Sequence, residues 1–498
     1  MTPPADPAAH PAPSRDGRTL ALLGALVLGL FAFRIGTLAA LDLPIYFDEA
    51  YYYWWSQHLD FGYYSKPPMV AWLIRLSCEI FDSHDPLVLR LPAAVLYSLT
   101  GIMLALVTRK IAGTRAATYA LVLYLTAPVV SFYSWFITTD APLMLCWAAT
   151  LYAFLEARRS GRVRWWVAMG LAAGAGLMSK YALLYFLLGL VLYLLTSNSD
   201  RRLLTTRGFW LMLAIAALVF SPNVWWNLTH DLASVKHTAE LAHADRASVN
   251  VDEFLDFFFG QFLVFGPVNF VLLGIALMAR ATWRDPERRL LAWLALPPIL
   301  LMCAQALASR AHLNWAATAY LSGSVLVAIW LAEGHRARLL AASVAVNLTL
   351  ALVFYFYHPL ANLAGVRLHE KNDPYHELWG WPEIGTQVDA LLAAHPETEL
   401  ASDARKILAY LIFYTTPQRL GAVAYDRNGV VDHHFEISSA MENHPGDAYV
   451  YVSESAPPRA LTARFREVTE LTAPVAEIRG GETVALGAWL LNGRVDAR

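Results

Sequence analysis

The chain is poor in charge. Asp, Glu, Lys and Arg make up 16% of its 498 residues, where soluble globular proteins carry about a quarter, so a wholly soluble protein is excluded. A basic surplus is missing too. The formal net charge is −2, and a nucleic-acid binder would show a positive excess. Cysteine is rare: Cys78, Cys146 and Cys303 are scattered, two of them inside apolar runs. They form neither a disulfide framework nor a zinc spacing. No segment repeats at a period of about 20–50 residues, which removes solenoids, and no inverted-repeat symmetry of a transporter is visible.

Apolar sequence fills the space. The chain is 57% hydrophobic, with 17 Trp and 23 Tyr and a mean hydropathy of +0.40. Aromatics of this kind collect where helix ends meet lipid headgroups. The first long run, Thr19 to Leu41, exceeds the about 7–15 residues of a signal-peptide core and reaches the about 20 needed to cross a bilayer. It reads as a retained span behind a disordered cytoplasmic tail, residues 1–18. Further runs lie at 87–108, 116–133, 140–156, 165–179, 181–196, 209–226, 258–279, 290–307, 313–332 and 338–356, giving 11 in all. Residues 68–80 are apolar but short, which suits an interfacial or re-entrant helix.

Alternate connections between these runs are basic. They carry Arg109, Lys110 and Arg115; Arg158, Arg159, Arg162 and Arg164; Arg201, Arg202 and Arg207; Arg280, Arg284, Arg288 and Arg289; and Arg336 and Arg338. Positive loops stay cytoplasmic. The 42–86 loop, Asp140, Lys180, the 227–257 loop and the turn at 308–313 are therefore expected outside. The expected fold is an all-α polytopic membrane bundle, residues 19–357. After about residue 358 charges return and Pro, Gly and Asn punctuate the chain. A helix pattern with a strand over 384–415, a buried strand at 447–453 and another at 482–491 predict a small external α/β domain, 358–498.

The densest chemical signal is Tyr46-Phe47-Asp48-Glu49-Ala50-Tyr51, followed by Tyr52 to Trp55. Two carboxylates beside water-excluding aromatics are costly. They read either as active-site acids under an aromatic roof or as helix-capping acids before headgroup anchors. Tyr63-Tyr64-Ser65-Lys66-Pro67-Pro68 places one lysine at the membrane surface. It reads as a phosphate contact or as a snorkelling side chain. Thr138-Thr139-Asp140-Ala141-Pro142 opens a helix; Asp140 reads as a helix cap or as a second external carboxylate near the first. Arg310, His312 and Asn314 sit in Ser309-Arg310-Ala311-His312-Leu313-Asn314-Trp315, where Arg310 and His312 are spaced to touch one anion. Weaker candidates are Lys180 with Tyr181, His237 and Arg246.

These four motifs, in order and on one expected face, resemble those of bacterial GT-C glycosyltransferases. The branch is the one related to protein O-mannosyltransferases and the aminoarabinose transferase of lipid A. The resemblance runs to about residue 357. It implies an integral-membrane transferase of about 11–13 spans taking a sugar from a polyprenyl-phosphate donor, such as undecaprenyl phosphate, on the periplasmic face of the inner membrane. The acceptor would be lipid A or lipopolysaccharide, another glycan, or a protein; membrane lipids are further partners, and a monomer is expected. The resemblance implies catalytic roles for Asp48, Asp140 and Glu49 and donor-phosphate binding by Lys66 and Arg310. Substrate contacts are expected from Tyr51, Tyr64, His312 and Asn314. Ser65 stands where aminoarabinose transferases have Glu. No metal ligands are assigned and no cofactor is named, with a divalent metal left open. Two rivals predict otherwise. A transporter or flippase of a lipid-linked sugar would place charges near the midplane, where Arg34 alone is a clear case. A lipid-binding protein without catalysis would transfer no sugar.

Overall fold

The computed structural model describes residues 15–242 and 249–495, with side chains from residue 21 to 240 and from 249. Arg246 and most of the expected N-terminal tail lie outside these residues. Helices dominate as far as residue 363. They are α1 (Arg15–Leu41), α2 (Phe47–Gln57), α3 (Met69–Phe81), α4 (Pro86–Thr126), α5 (Pro128–Tyr133), α6 (Asp140–Ser160), α7 (Val163–Ser179), α8 (Leu184–Thr196) and α9 (Arg207–Thr229). There follow α10 (Ala233–Ala242), α11 (Val251–Phe265), α12 (Pro267–Met278), α13 (Arg280–Arg284), α14 (Pro286–Ala308), α15 (Ala319–Glu333), α16 (Ala337–Tyr355) and α17 (Tyr357–Leu363).

The boundaries follow local chemistry. Pro86 sits at the first position of α4, where its missing N–H costs nothing. Thr206, Asn250 and Asp285 each accept a backbone N–H of the helix they precede, satisfying donors that the helix itself cannot pair. Gly161 ends α6 at φ 63°, a conformation that suits glycine.

Every expected apolar run falls on helix, but not always as one rod. The run 258–279 is broken: α11 and α12 meet at 105°. Gly266 sits there at φ 97° and Pro267 follows, and Pro cannot continue the hydrogen-bond ladder. The run 116–133 ends at Thr126, and α5 restarts after Ala127. Conversely, α4 joins two runs through Gly113, which is non-helical at φ 80°. Among the described residues five helices are long and apolar enough to cross a membrane individually, and the bent pair makes a sixth. Helices such as α7, with 17 residues, fall short of the about 20 that a perpendicular crossing takes, and are held instead by neighbours on several sides. The short 68–80 segment is α3, packed on α2 and α4.

Beyond residue 363 the chain forms α18 (Trp381–Ala394), β1 (Glu399–Ser402), α19 (Arg405–Tyr414), β2 (Val423–Ala424), β3 (Ala448–Ser453), β4 (Phe465–Glu470), β5 (Val475–Glu477), β6 (Thr483–Ala485) and β7 (Gly487–Arg494), with short helical turns between. One sheet runs β2-β1-β3-β7-β4, and β5 pairs with β6 in a second. β1 is parallel to β2 and β3, while β7 is antiparallel to β3 and β4. All six residues of β3 are buried, as a central strand covered on both faces requires. The strand expected over 482–491 is two: β6 and β7 belong to different sheets.

α19 lies directly on α2. Tyr51, Tyr53, Trp54 and Trp55 are each at most 1% exposed. Tyr53 donates to Gln418 Oε1 at 2.5 Å, and Trp54 Nε1 to the Leu420 carbonyl at 3.0 Å. The aromatic run is therefore an interface within the protein, not a belt of headgroup anchors. Its rings bury large apolar area, and the polar tips of Tyr53 and Trp54 find partners in the other segment.

Candidate active site

The adjacent carboxylates have separate fates. Glu49 is the third residue of α2, and its Oε2 accepts from the Tyr46 backbone N–H at 3.0 Å, a reciprocal cap. It also accepts from Arg90 Nε at 3.0 Å, Arg90 Nη2 at 2.7 Å and the Ile137 N–H at 2.9 Å. Arg90 in turn donates to the carbonyls of Leu43 and Pro44, both at 2.8 Å. Both side chains are at most 2% exposed. This network clamps residues 43–49, the start of α4 and the segment entering α6 to one another. Arg90 was not singled out from sequence.

Asp48, one residue earlier on the helical turn, faces a cavity of about 980 Å³. Its side chain keeps 37% of its surface open, and its nearest counter-ion is Arg405 at 3.8 Å, beyond hydrogen-bond length. Burial raises the Asp48 carboxyl above the ordinary carboxylate value, against the opposing pull of Arg405 and Lys66.

Across the cavity Asp140, at the first position of α6, is fully engaged. Lys180 Nζ reaches its Oδ1 at 2.8 Å and Asn314 Nδ2 its Oδ2 at 3.0 Å. Lys180 closes α7 in an extended conformation, which turns its side chain toward α6. Lys66 lies in a tight turn closed by the Tyr63 N–H on its own carbonyl at 3.1 Å. Among the described residues its ammonium has no hydrogen-bond or ion-pair partner. Burial, with Lys180 nearby, lowers it to about 8. An unpaired cation facing a polar cavity is a ready receptor for an anion. His312 stacks edge-on against Trp315 at 5.0 Å. Burial and then Arg310 lower its imidazole, which favours the neutral form. His237 is lowered to about 4, chiefly by burial.

The cavity thus brings together Asp48, Glu49, Lys66, Asp140, His312 and Asn314. Three sequence candidates lie elsewhere. Arg310 is exposed and does not line it. Tyr51 turns its hydroxyl to the His434 N–H at 2.5 Å. Tyr64 packs on His237 and Trp226. Sequence reasoning missed the roof, which comes from beyond residue 363: Glu370, Asp373, Glu377, Arg405 and Lys406 all line the cavity. Nothing in the local sequence tells that α19 returns to α2. Among the described residues, no group of three or more His, Cys, Asp or Glu is placed to hold a metal ion.

A lipid A galacturonosyltransferase, RgtD, of Rhizobium johnstonii is 33% identical over 393 residues, which is 78% of this chain and 81% of that protein. The chain belongs to the GT-C polyprenyl-phosphate-sugar glycosyltransferases. Residues 65–226 of this glycosyltransferase also match the family described as dolichyl-phosphate-mannose-protein mannosyltransferase. A lipopolysaccharide core galacturonosyltransferase, RgtA, of the same organism is 27% identical over 219 residues, 43% of either chain. The fold is that of ArnT from Cupriavidus metallidurans. The apo structure gives a TM-score of 0.64 at 18% identity, covering 95% of this chain and 98% of that one. The structure bound to undecaprenyl phosphate gives 0.62 at 17% identity, covering 96% and 98%. The enzyme is a multi-pass membrane glycosyltransferase with a lipid-linked sugar donor.

Proposed function

We propose that the enzyme moves a sugar from a polyprenyl phosphate onto lipid A or the lipopolysaccharide core, at the periplasmic face of a bacterial inner membrane. In this reading residues 1–18 face the cytoplasm, residues 19–357 form the catalytic bundle and residues 358–498 roof the site from the periplasm. The enzyme acts as a monomer. The names of the two curated relatives, a lipid A and a lipopolysaccharide core galacturonosyltransferase, support the acceptor class and point to a uronic sugar. The carrying observation is that Asp48 and Lys66 face one cavity with neither hydrogen-bonded to a counter-ion.

The acceptor hydroxyl attacks the anomeric carbon of the donor. Its oxygen forms the new glycosidic bond as the bond from that carbon to the phosphate oxygen breaks. The electron pair leaves with polyprenyl phosphate, and the hydroxyl proton passes to Asp48. A carboxylate raised by burial is a better proton acceptor than an ordinary one, and such a base contributes about 10²–10⁴-fold. Lys66 stabilises the charge growing on the departing phosphate. Asp140, held by Lys180 and Asn314, positions the reacting sugar. Phosphate leaves without an acid. The test is turnover of purified enzyme on a polyprenyl-phosphate sugar with lipid A as acceptor, comparing wild type, Asp48→Asn and Lys66→Ala. Loss in both variants is expected. Near-normal rates in both remove the scheme.

A further inference from the structure

Four basic side chains line the cavity: Lys66, Lys180, Arg405 and Lys406. Lys180 is neutralised by Asp140, and Lys406 pairs with Glu377 at 3.1 Å. Lys66 is the phosphate receptor of the reading above. Arg405 is left over. Its guanidinium donates no hydrogen bond to any described residue, and its nearest carboxylate oxygen, on Asp48, is 3.8 Å away. Yet it is held in place, its guanidinium centre 5.1 Å from the centroid of the Phe47 ring and 5.4 Å from that of Tyr51. Cation–π contacts of this kind restrain a guanidinium without using its N–H donors. The residue also opens α19, whose preceding residue Ala404 supplies no side-chain cap. Cations are disfavoured at this positive end of a helix, so its place there calls for a nearby anion that the protein only loosely provides.

We propose that Arg405 reads a carboxylate on the donor sugar and makes the enzyme selective for a uronosyl group. The inference rests on the transfer reaction proposed above and adds the residue that chooses the sugar. A planar carboxylate matches the two parallel N–H donors of a guanidinium, and a neutral hydroxymethyl group does not. Asp48 sits beside the same guanidinium, so the sugar's carboxylate is drawn to the cavity wall that carries the base. The selectivity determinant comes from the segment after residue 363, while the reacting groups come from the bundle. Changes in the roof therefore alter the sugar without dismantling the chemistry.

The experiment compares polyprenyl-phosphate galacturonic acid with polyprenyl-phosphate galactose, which differ at one carbon, using the full-length enzyme and lipid A. Wild type is expected to favour the uronosyl donor in kcat/KM. A site built for a charged partner rejects an analogue lacking it by a large factor, on the order of 10²-fold or more. Arg405→Gln should reduce that preference by about 10²-fold. Arg405→Lys, which keeps the charge but loses the fork, should retain part of it. Equal losses on both donors in Arg405→Gln overturn the inference, because they mean that Arg405 acts through Asp48 or the fold. A shifted acid limb of the pH profile would accompany that result. A wild type preferring the neutral donor overturns it as well. Wild type inactive on both donors instead overturns the transfer reaction itself.

Discussion

Replacing Glu49 by Gln removes one charge and should act on stability far more than on chemistry. Four donors converge on the Glu49 carboxylate: Arg90 Nε and Nη2 and the N–H groups of Tyr46 and Ile137. A glutamine offers a single carbonyl oxygen, and its own NH₂ would face donors. Arg90, 1% exposed, would be left charged and without a counter-ion. Breaking a buried pair in this way costs about 3–5 kcal/mol. The stranded N–H groups, about 1–3 kcal/mol each in isolation, overlap with that figure rather than adding to it. The assay is unfolding in mixed detergent for Glu49→Gln, Arg90→Met and the double variant. Each single variant should lose roughly 3–5 kcal/mol. The double variant should be less unstable than the sum by about 2 kcal/mol, because it leaves no lone buried charge. Glu49→Gln that folds should keep kcat within about tenfold, whereas a true base loses about 10²–10⁴-fold. Wild-type stability with a 10²-fold loss of kcat in Glu49→Gln would refute this account and put Glu49 at the reacting atoms.

Three further outcomes follow from the cavity. The pH profile of kcat/KM should rise as Asp48 loses its proton, over a range above the ordinary carboxylate value, and fall again above about 8 as Lys66 loses its own. Lys66→Arg, whose guanidinium keeps its charge throughout, should remove the alkaline limb, and a limb persisting near 8 would disconnect it from Lys66. Asp140→Asn and Lys180→Met should each raise the KM for donor, with a coupling of about 1–3 kcal/mol between them; simple additivity would separate the pair. Finally, Phe61 is 51% exposed in the loop that carries Asp48 and Lys66. In a variant lacking the native cysteines, Phe61→Cys should react with a membrane-impermeant maleimide from the periplasmic side. Labelling only after lysis would turn the molecule over and remove the periplasmic site.

Sequence alone specified the membrane bundle, because apolar runs of crossing length and alternating basic loops are properties of the chain in a bilayer, whatever its packing. It also gave the neighbourhood of the site: Asp48, Lys66, Asp140 and Asn314 were legible as polar residues at helix ends where polar groups are costly. Tertiary structure decided which partners they meet. Asp48 and Glu49 are chemically alike and adjacent, yet the turn of α2 ties Glu49 to Arg90, 41 residues further on, and leaves Asp48 without a hydrogen-bonded counter-ion. The burial of Tyr51 to Trp55 beneath α19 and the arrival of Arg405 over Asp48 arise from contacts spanning hundreds of residues. Local pattern reports which groups are expensive to bury; only the packed chain fixes which partner each one meets.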